Sequence, residues 1–232
     1  MVYHLHIGNK RYSSWSMRPW VLLKALDIPF KEHLHLFKPG SNQPDFFSFS
    51  PVGRVPCLSD DNTSESIRIW DSLAICEYIA EKYPKVWPKD PAARSFARCA
   101  VAEMHSSFNA LRNECSMIVA LRIDLGDTLS EALQRDLERL SGLFNEGLAK
   151  FGGPWLVGEG FTAADAFFAP VASRCKTYGL KLDGAAARYI ERLFEHSAVQ
   201  EWIRDGIEET AREPKHEEIS VAGRTVLQDL SE

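Results

Sequence analysis

The chain has no Cys-x-x-Cys pair, no long apolar run and no excess of positive charge. Its five cysteines, Cys57, Cys76, Cys99, Cys115 and Cys175, are scattered and odd in number. That pattern excludes a disulfide framework and fits reduced thiols in the cytoplasm. No His/Cys spacing resembles a zinc site, so no metal is expected. His4 and His6 alternate along a strand-like stretch and share one face, and with no further ligand nearby they read as surface or structural histidines. No apolar segment approaches the roughly 20 residues a membrane span needs. The opening Met-Val-Tyr-His-Leu-His has no charged leader or cleavage site, so no signal peptide is expected. A formal charge of −5 argues against nucleic acid or an anionic membrane as partner. Internal repeats and low-complexity segments are absent from the sequence as well.

What is present is ordinary material for a folded protein. The 232 residues are 45% hydrophobic and 25% charged, enough for one large or two modest domains with real cores. Strand and helix signals alternate through residue 83: strands over Tyr3–Gly8, Phe30–Phe37, Val55–Leu58 and 66–70, and helices over Trp20–Leu26, around Asp45–Phe49 and over 72–83. Pro39-Gly40-Ser41-Asn42 reads as a break and Asp60-Asp61-Asn62 as a turn. This order describes a small mixed sheet with helices on its faces. Three prolines in 84–91 mark a linker over 84–90. From 91 to 232 strand signals vanish, and helices are expected near 91–123, 128–151, 162–178, 184–195 and 198–211. The last twenty residues are polar and weakly patterned, a docked or mobile tail.

The most informative stretch is 66–83. An alternating run ends at Asp71-Ser72, and a helical pattern with Leu73, Cys76, Ile79 or Ala80, and Tyr83 on one face starts at once. A helix N-terminus offers unpaired N–H groups and a partial positive charge, which favour a carboxylate, while Asp71 is free to take an ammonium. Together they suit the two charged ends of an amino-acid moiety; the alternative is that either residue simply caps the helix. A second loop, Asn9 to Trp20, places Ser13, Ser14 and Ser16 at a helix start. Ser16 is the natural cap, with Pro19 in the first turn, leaving Ser13 and Ser14 free. A hydroxyl there donates to a thiolate and lowers its pKa, helped by the helix dipole and by Arg18 or Arg11. A serine-rich turn without chemistry is the alternative.

These pieces, with Val55-Pro56 following Pro51-Val52-Gly53-Arg54 and an all-helical second half, resemble a cytosolic glutathione S-transferase across essentially the whole chain. Ser13-Ser14-Trp15-Ser16-Met17-Arg18 is most similar to the serine-type zeta class, which includes maleylacetoacetate isomerases; Trp15 stands where that class carries cysteine. The resemblance implies a thioredoxin-like α/β domain over 1–83 and an all-α domain over 91–232. It implies glutathione as co-substrate, a small hydrophobic electrophile as second substrate, and a homodimer. Ser13 or Ser14 becomes the thiol activator, Ser13 first by motif position. A cis bond before Pro56 would let the Val55 backbone pair with the peptide. Asp71 and Ser72 hold the two charged ends of glutathione's amino-acid moiety, and Asn109 and Asn113 fall where the class reaches glutathione, within the subunit or across the dimer. With Trp15, the residues Met104, Phe108 and Arg112, spaced by turns along the 91–123 helix, line the second substrate's pocket; Met104 and Phe108 are otherwise plain core. Arg112 is either solvated or holding an anion. Arg174 lies one turn before the class's substrate-orienting arginine. Gly160-Phe161-Thr162-Ala163-Ala164-Asp165 resembles the family's capping motif, with Phe161 stapling to a residue one turn inside, and is assigned to folding. Three functions follow: transferase, glutathione-dependent isomerase of a conjugated diketo acid, and non-catalytic binding protein. A disulfide reductase is not expected, because the serine loop has no cysteine for a mixed disulfide.

Overall fold

The computed structural model describes residues 2–40, 43–61, 65–126 and 128–232. Ser41, Asn42 and Asn62, which belong to the expected break and turn, lie outside them. Strands β1 (Tyr3–Gly8), β2 (Phe30–His35), β3 (Cys57–Asp60) and β4 (Ile67–Trp70) form one sheet in the order β2-β1-β3-β4. The β1–β2 pair is parallel and the other two are antiparallel. Alternation decides the faces: Tyr3, Leu5 and Ile7 are buried against helices α1 (Ser14–Ala25) and α2 (Ser72–Lys82), and His4 and His6 point the other way. On that second face a 3₁₀ turn over Pro44–Ser48 brings Phe46 and Phe49 down as a small separate core with Cys57. The buried stripe of α2 is Ser72, Ile75, Cys76 and Ile79, so Leu73 is only half-buried and Tyr83 falls just past the helix.

Helix α1 starts six residues earlier than its apolar pattern indicates. Ser13, not Ser16, is its N-cap, and Pro19 sits inside it rather than in its first turn. The proline's missing N–H leaves the Trp15 carbonyl without its helical donor.

The remaining chain is mainly helical: α3 (Pro91–Ser106), α4 (Asn109–Glu114), α5 (Glu131–Phe151), α6 (Ala163–Tyr178), α7 (Ala185–Glu195), α8 (Ser197–Glu208) and α9 (Pro214–Val221). Two expectations fail here. The single helix over 91–123 is broken at Ser107–Phe108, where Phe108 adopts φ 59° and ψ 45°. Tertiary bonds hold the break: Arg112 Nη2 donates to the Met104 and His105 carbonyls at the frayed end of α3, and Asp136 accepts from the Leu111 N–H. The half is also not all-helical. Leu121–Ile123 forms β5, which pairs antiparallel with β6 (Val226–Asp229), so the tail is docked. Helix α6 runs through the centre with nearly every side chain buried, packed on α1, α3 and α7. Its capping box is present, with Thr162 as cap and Asp165 as reciprocal partner. The Phe161 ring meets Trp155 edge-on and His196 at a tilt.

Candidate functional site

Two adjoining cavities lie where the serine loop, the β4–α2 junction and the helical half meet. Trp15, Arg54 and Val55 line both. The first encloses about 640 Å³ and is bounded by Asp71 and Ser72, Val55 and Pro56, Trp70 and His105. The Val55–Pro56 bond is cis, as expected.

Asp71 caps its helix and keeps a second carboxylate oxygen at the cavity. Oδ1 caps α2 by accepting from the Leu73 N–H at 2.8 Å, and Oδ2 lies 3.4 Å from His105 Nε2. Its backbone, at φ 79° and ψ 134°, is in a region that non-glycine residues rarely adopt, and such residues cluster at ligand sites. Ser72 is fully buried, yet its Oγ has no hydrogen-bond partner among the described residues. A buried hydroxyl is seldom left unpaired, so a lone one at a helix N-terminus, on a cavity wall beside a carboxylate, fits a ligand carboxylate.

The second cavity, about 420 Å³, is lined by Ser13, Ser14, Phe37, Arg112, Arg174 and His216 among others. Its two serines are not equivalent. The Ser13 hydroxyl donates to Ser16 Oγ at 2.8 Å and accepts from the Ser16 N–H at 3.4 Å. Ser16 Oγ in turn accepts from the Gly8 N–H at 3.1 Å, closing β1 onto α1. The Ser13 proton is thus spent inside the loop. Ser14 is half-buried, and its Oγ accepts from Arg174 Nη2 at 3.5 Å, which leaves its own proton to donate. Tyr12 also lines this cavity, but its hydroxyl donates to Glu217 Oε1 at 2.7 Å, and burial, followed by that bond, raises its pKa.

Three arginines surround Trp15 and Ser14. The Arg18 guanidinium lies 4.0 Å from the Trp15 ring centroid and that of Arg112 lies 4.7 Å from it. His105 meets the same indole edge-on at 5.1 Å. Arg18 is buried, with Nε and Nη1 unpartnered among the described residues. Burial, then the charges of Arg112 and Arg174, push its pKa well down, against the opposing pull of Asp71. Arg174 donates to the Cys115 carbonyl at 2.8 Å, and burial, then Arg112, lower its pKa to about 10. Arg112 is half-buried on the cavity wall: its Nη2 donates to the Met104 and His105 carbonyls, while its Nε has no partner among the described residues. The resulting field favours any anion that enters, a thiolate included.

Of the residues read from the sequence, Ser13, Ser14, Trp15, Val55, Pro56, Asp71, Ser72 and Arg112 come together at these cavities. Met104 and Phe108 do not; both are core residues, Met104 within α3 and Phe108 at the break after it. Asn109 and Asn113 are exposed on α4 and line neither cavity. Arg11 faces away, donating to the carbonyls of Ile207 and Glu209. Sequence reading passed over Arg54, Trp70, His105 and His216. Only Arg54, beside the Val55-Pro56 motif, carried a local signal.

A four-stranded mixed sheet with a cis-proline bend, an acidic helix start and a helical second half define a thioredoxin-like domain joined to a helical one. The profile of glutathione S-transferase, N-terminal domain, matches residues 12–82, and that of glutathione S-transferase, C-terminal domain, matches residues 125–205. Glutathione S-transferase 1 of Dianthus caryophyllus is 31% identical over 161 residues, covering 68% of this chain and 70% of its own. The glutathione S-transferase-like protein OpS6 of Beauveria bassiana is 28% identical over 163 residues, covering 66% of this chain and 72% of its own. Among solved structures, a glutathione transferase homolog from Burkholderia gl BGR1, with bound glutathione, superposes with a TM-score of 0.67 at 25% identity, over 90% of this chain and all of that one. The chain belongs to the glutathione S-transferase family.

Proposed function

We propose that the protein is a glutathione transferase that activates the glutathione thiol with Ser14 and directs it at a small electrophile. The γ-glutamyl end occupies the first cavity, with its ammonium on Asp71 and its carboxylate on the Ser72 hydroxyl and the first N–H groups of α2. The cysteinyl backbone runs along Val55, and the sulfur reaches the boundary marked by Trp15, where the electrophile meets it from the second cavity. The Ser14 hydroxyl donates to the sulfur, and the field of Arg18, Arg112 and Arg174 favours its charge. Each unit by which the thiol pKa falls is worth about 1.4 kcal/mol of preference for the thiolate. The observation that carries this reading is the junction itself: Trp15, Arg54 and Val55 join a cavity bounded by Asp71 and the N-terminus of α2 to one lined by Ser14. A cytoplasmic homodimer is the setting proposed for it.

A second reading, isomerisation of a conjugated diketo acid by reversible thiolate addition, is favoured by the arginines on the second cavity. Capture on immobilised glutathione, followed by assays on aryl halides, peroxides and maleylacetone, tests both. Retention with turnover of an aryl halide is the expected result. Turnover of maleylacetone alone favours the isomerase, retention without turnover favours a binding protein, and no retention contradicts all three.

A further inference from the structure

Helix α9, from the weakly patterned tail, brings an imidazole to the second cavity. His216 lines that cavity together with Ser13 and Ser14. Its ring is stacked between Tyr12, centroids 5.2 Å apart, and Phe37, centroids 5.3 Å apart at 9°. Nδ1 lies 2.6 Å from Glu213 Oε2, and Glu213 is buried, at 3% exposure. Burial opposes the charge of Glu213, but the bonds from the His216 ring and from backbone N–H groups outweigh it and hold its pKa below the ordinary value. The carboxylate therefore fixes Nδ1 as the donor and leaves Nε2 as the nitrogen that exchanges protons. The helix is tied to the serine loop as well, since the Glu213 N–H donates to the Tyr12 hydroxyl at 3.3 Å. Glu213 Oε2 is also the N-cap of α9, accepting from the His216 backbone N–H at 2.7 Å, so one buried carboxylate fixes both the helix start and the ring.

We propose that His216, oriented by Glu213, is the general acid for those second substrates on which thiolate addition leaves charge on oxygen, as it does on a conjugated enone. The inference rests on the transferase reading above. The glutathione thiolate adds to the β-carbon; a C–S bond forms and the C=C π pair moves toward the carbonyl as an enolate. His216 Nε2 gives its proton to that enolate, and the imidazole is reprotonated from solvent. The thiol lost one proton on binding and the adduct gains one, so the net reaction is addition of S–H across the double bond with no further reactant.

Aryl chlorides provide the internal control, because chloride leaves as an anion and needs no proton. Wild type, His216→Gln and His216→Phe are assayed with saturating glutathione on a conjugated enone and on an activated aryl chloride; the phenylalanine preserves the stacked ring. Both variants are expected to lose at least about tenfold more kcat on the enone than on the aryl chloride. They are also expected to lose the solvent deuterium isotope effect on the enone. Equal losses on the two electrophiles, no loss, or a wild type that turns over no enone would overturn the inference. Calorimetry of wild type with glutathione separates the two levels: absence of binding overturns the transferase reading, whereas binding with an unchanged enone-to-chloride ratio overturns only the role of His216.

Discussion

At the scale of single residues, the site was legible where chemistry and a change of secondary structure coincide. Asp71 and Ser72 stand at a strand-to-helix step, and Ser13 and Ser14 at another, so spacing alone marked them. The roles within each pair were less legible, because they depend on where hydroxyl protons go. Ser13 spends its proton on Ser16, and only the position of Arg174, 160 residues away, shows that Ser14 does not. Asp71→Ala is expected to weaken glutathione binding by roughly 1.5–3 kcal/mol, the worth of a charge-assisted bond to the ligand ammonium. Ser72→Ala should cost less, since the helix N–H groups remain. Isothermal titration of both variants is the measurement; equal affinity of Asp71→Ala and the parent would remove Asp71 from the site.

At the scale of elements, local periodicity found the sheet and most helices and missed what distant contacts decide. The break at Ser107–Phe108 carries no Gly or Pro, and the bonds that hold it come from Arg112 and Asp136. With the helix assumed continuous, Met104, Phe108 and Arg112 read as one face, which the break dissolves. Strand β5 is three residues long and its partner lies about a hundred residues on, beyond any pattern window. The histidines of β1 gained meaning only from register. His4 pairs with His33 at 2.8 Å and His6 with His35 at 2.9 Å, a four-ring ladder across parallel strands, closed by Phe49 on His6 and His35. Burial, then the neighbouring His33 and His35, lower His6 to about 4, and burial lowers His33 and His35 too. Below the ordinary histidine pKa of about 6.5 the unfolded chain takes up protons that the ladder refuses, so stability falls as pH drops from there toward 4. Urea melts of wild type and His6→Val across this window should show a flatter pH dependence in the variant; an identical dependence would contradict the ladder's role. In α6, Asp165 accepts from the N–H groups of Leu156 and Thr162, from the Thr162 hydroxyl and from Tyr189. Losing these at a fully buried position should cost roughly 3 kcal/mol or more in Asp165→Ala, and less in Asp165→Asn, which keeps an acceptor. Chemical denaturation measures it, and a loss below about 1 kcal/mol would show the box to be dispensable.

At the scale of the whole molecule, the two halves are pinned by charges reaching out of the serine loop. Lys10 Nζ bridges Glu32 at 2.9 Å and Asp205 of α8 at 2.7 Å, with Trp20 beneath it at 4.5 Å. Arg11 holds the chain at the end of α8, and Tyr12 holds α9 through Glu217. The loop that leads into Ser14 therefore also joins the two halves, so the cleft is set by the same residues that dock the helical half. Sequence order alone showed two compositional halves; it could not show that the tail returns to the site, because that return depends on single side chains. Assembly adds one more expectation. Membership of a family of two-fold dimers predicts a particle of about twice 26.2 kDa in sedimentation equilibrium at micromolar concentration. A strict monomer there would confine each site to residues of its own subunit.

Whether the protein holds glutathione as a thiolate is measured most directly by the ultraviolet thiolate absorbance of the bound peptide against pH, in wild type and in Ser13→Ala, Ser14→Ala and Ser16→Ala. Activation by Ser14 predicts a depressed thiol pKa in wild type, returned toward its free value in Ser14→Ala with the fold intact. Ser13→Ala should instead lose about 1 kcal/mol of stability as a missing helix cap, with little movement of the pKa. A thiol that titrates at its free value in wild type would contradict thiolate activation altogether, and a depressed pKa that no serine variant moves would contradict hydroxyl activation and point to the arginine field and the helix dipole instead.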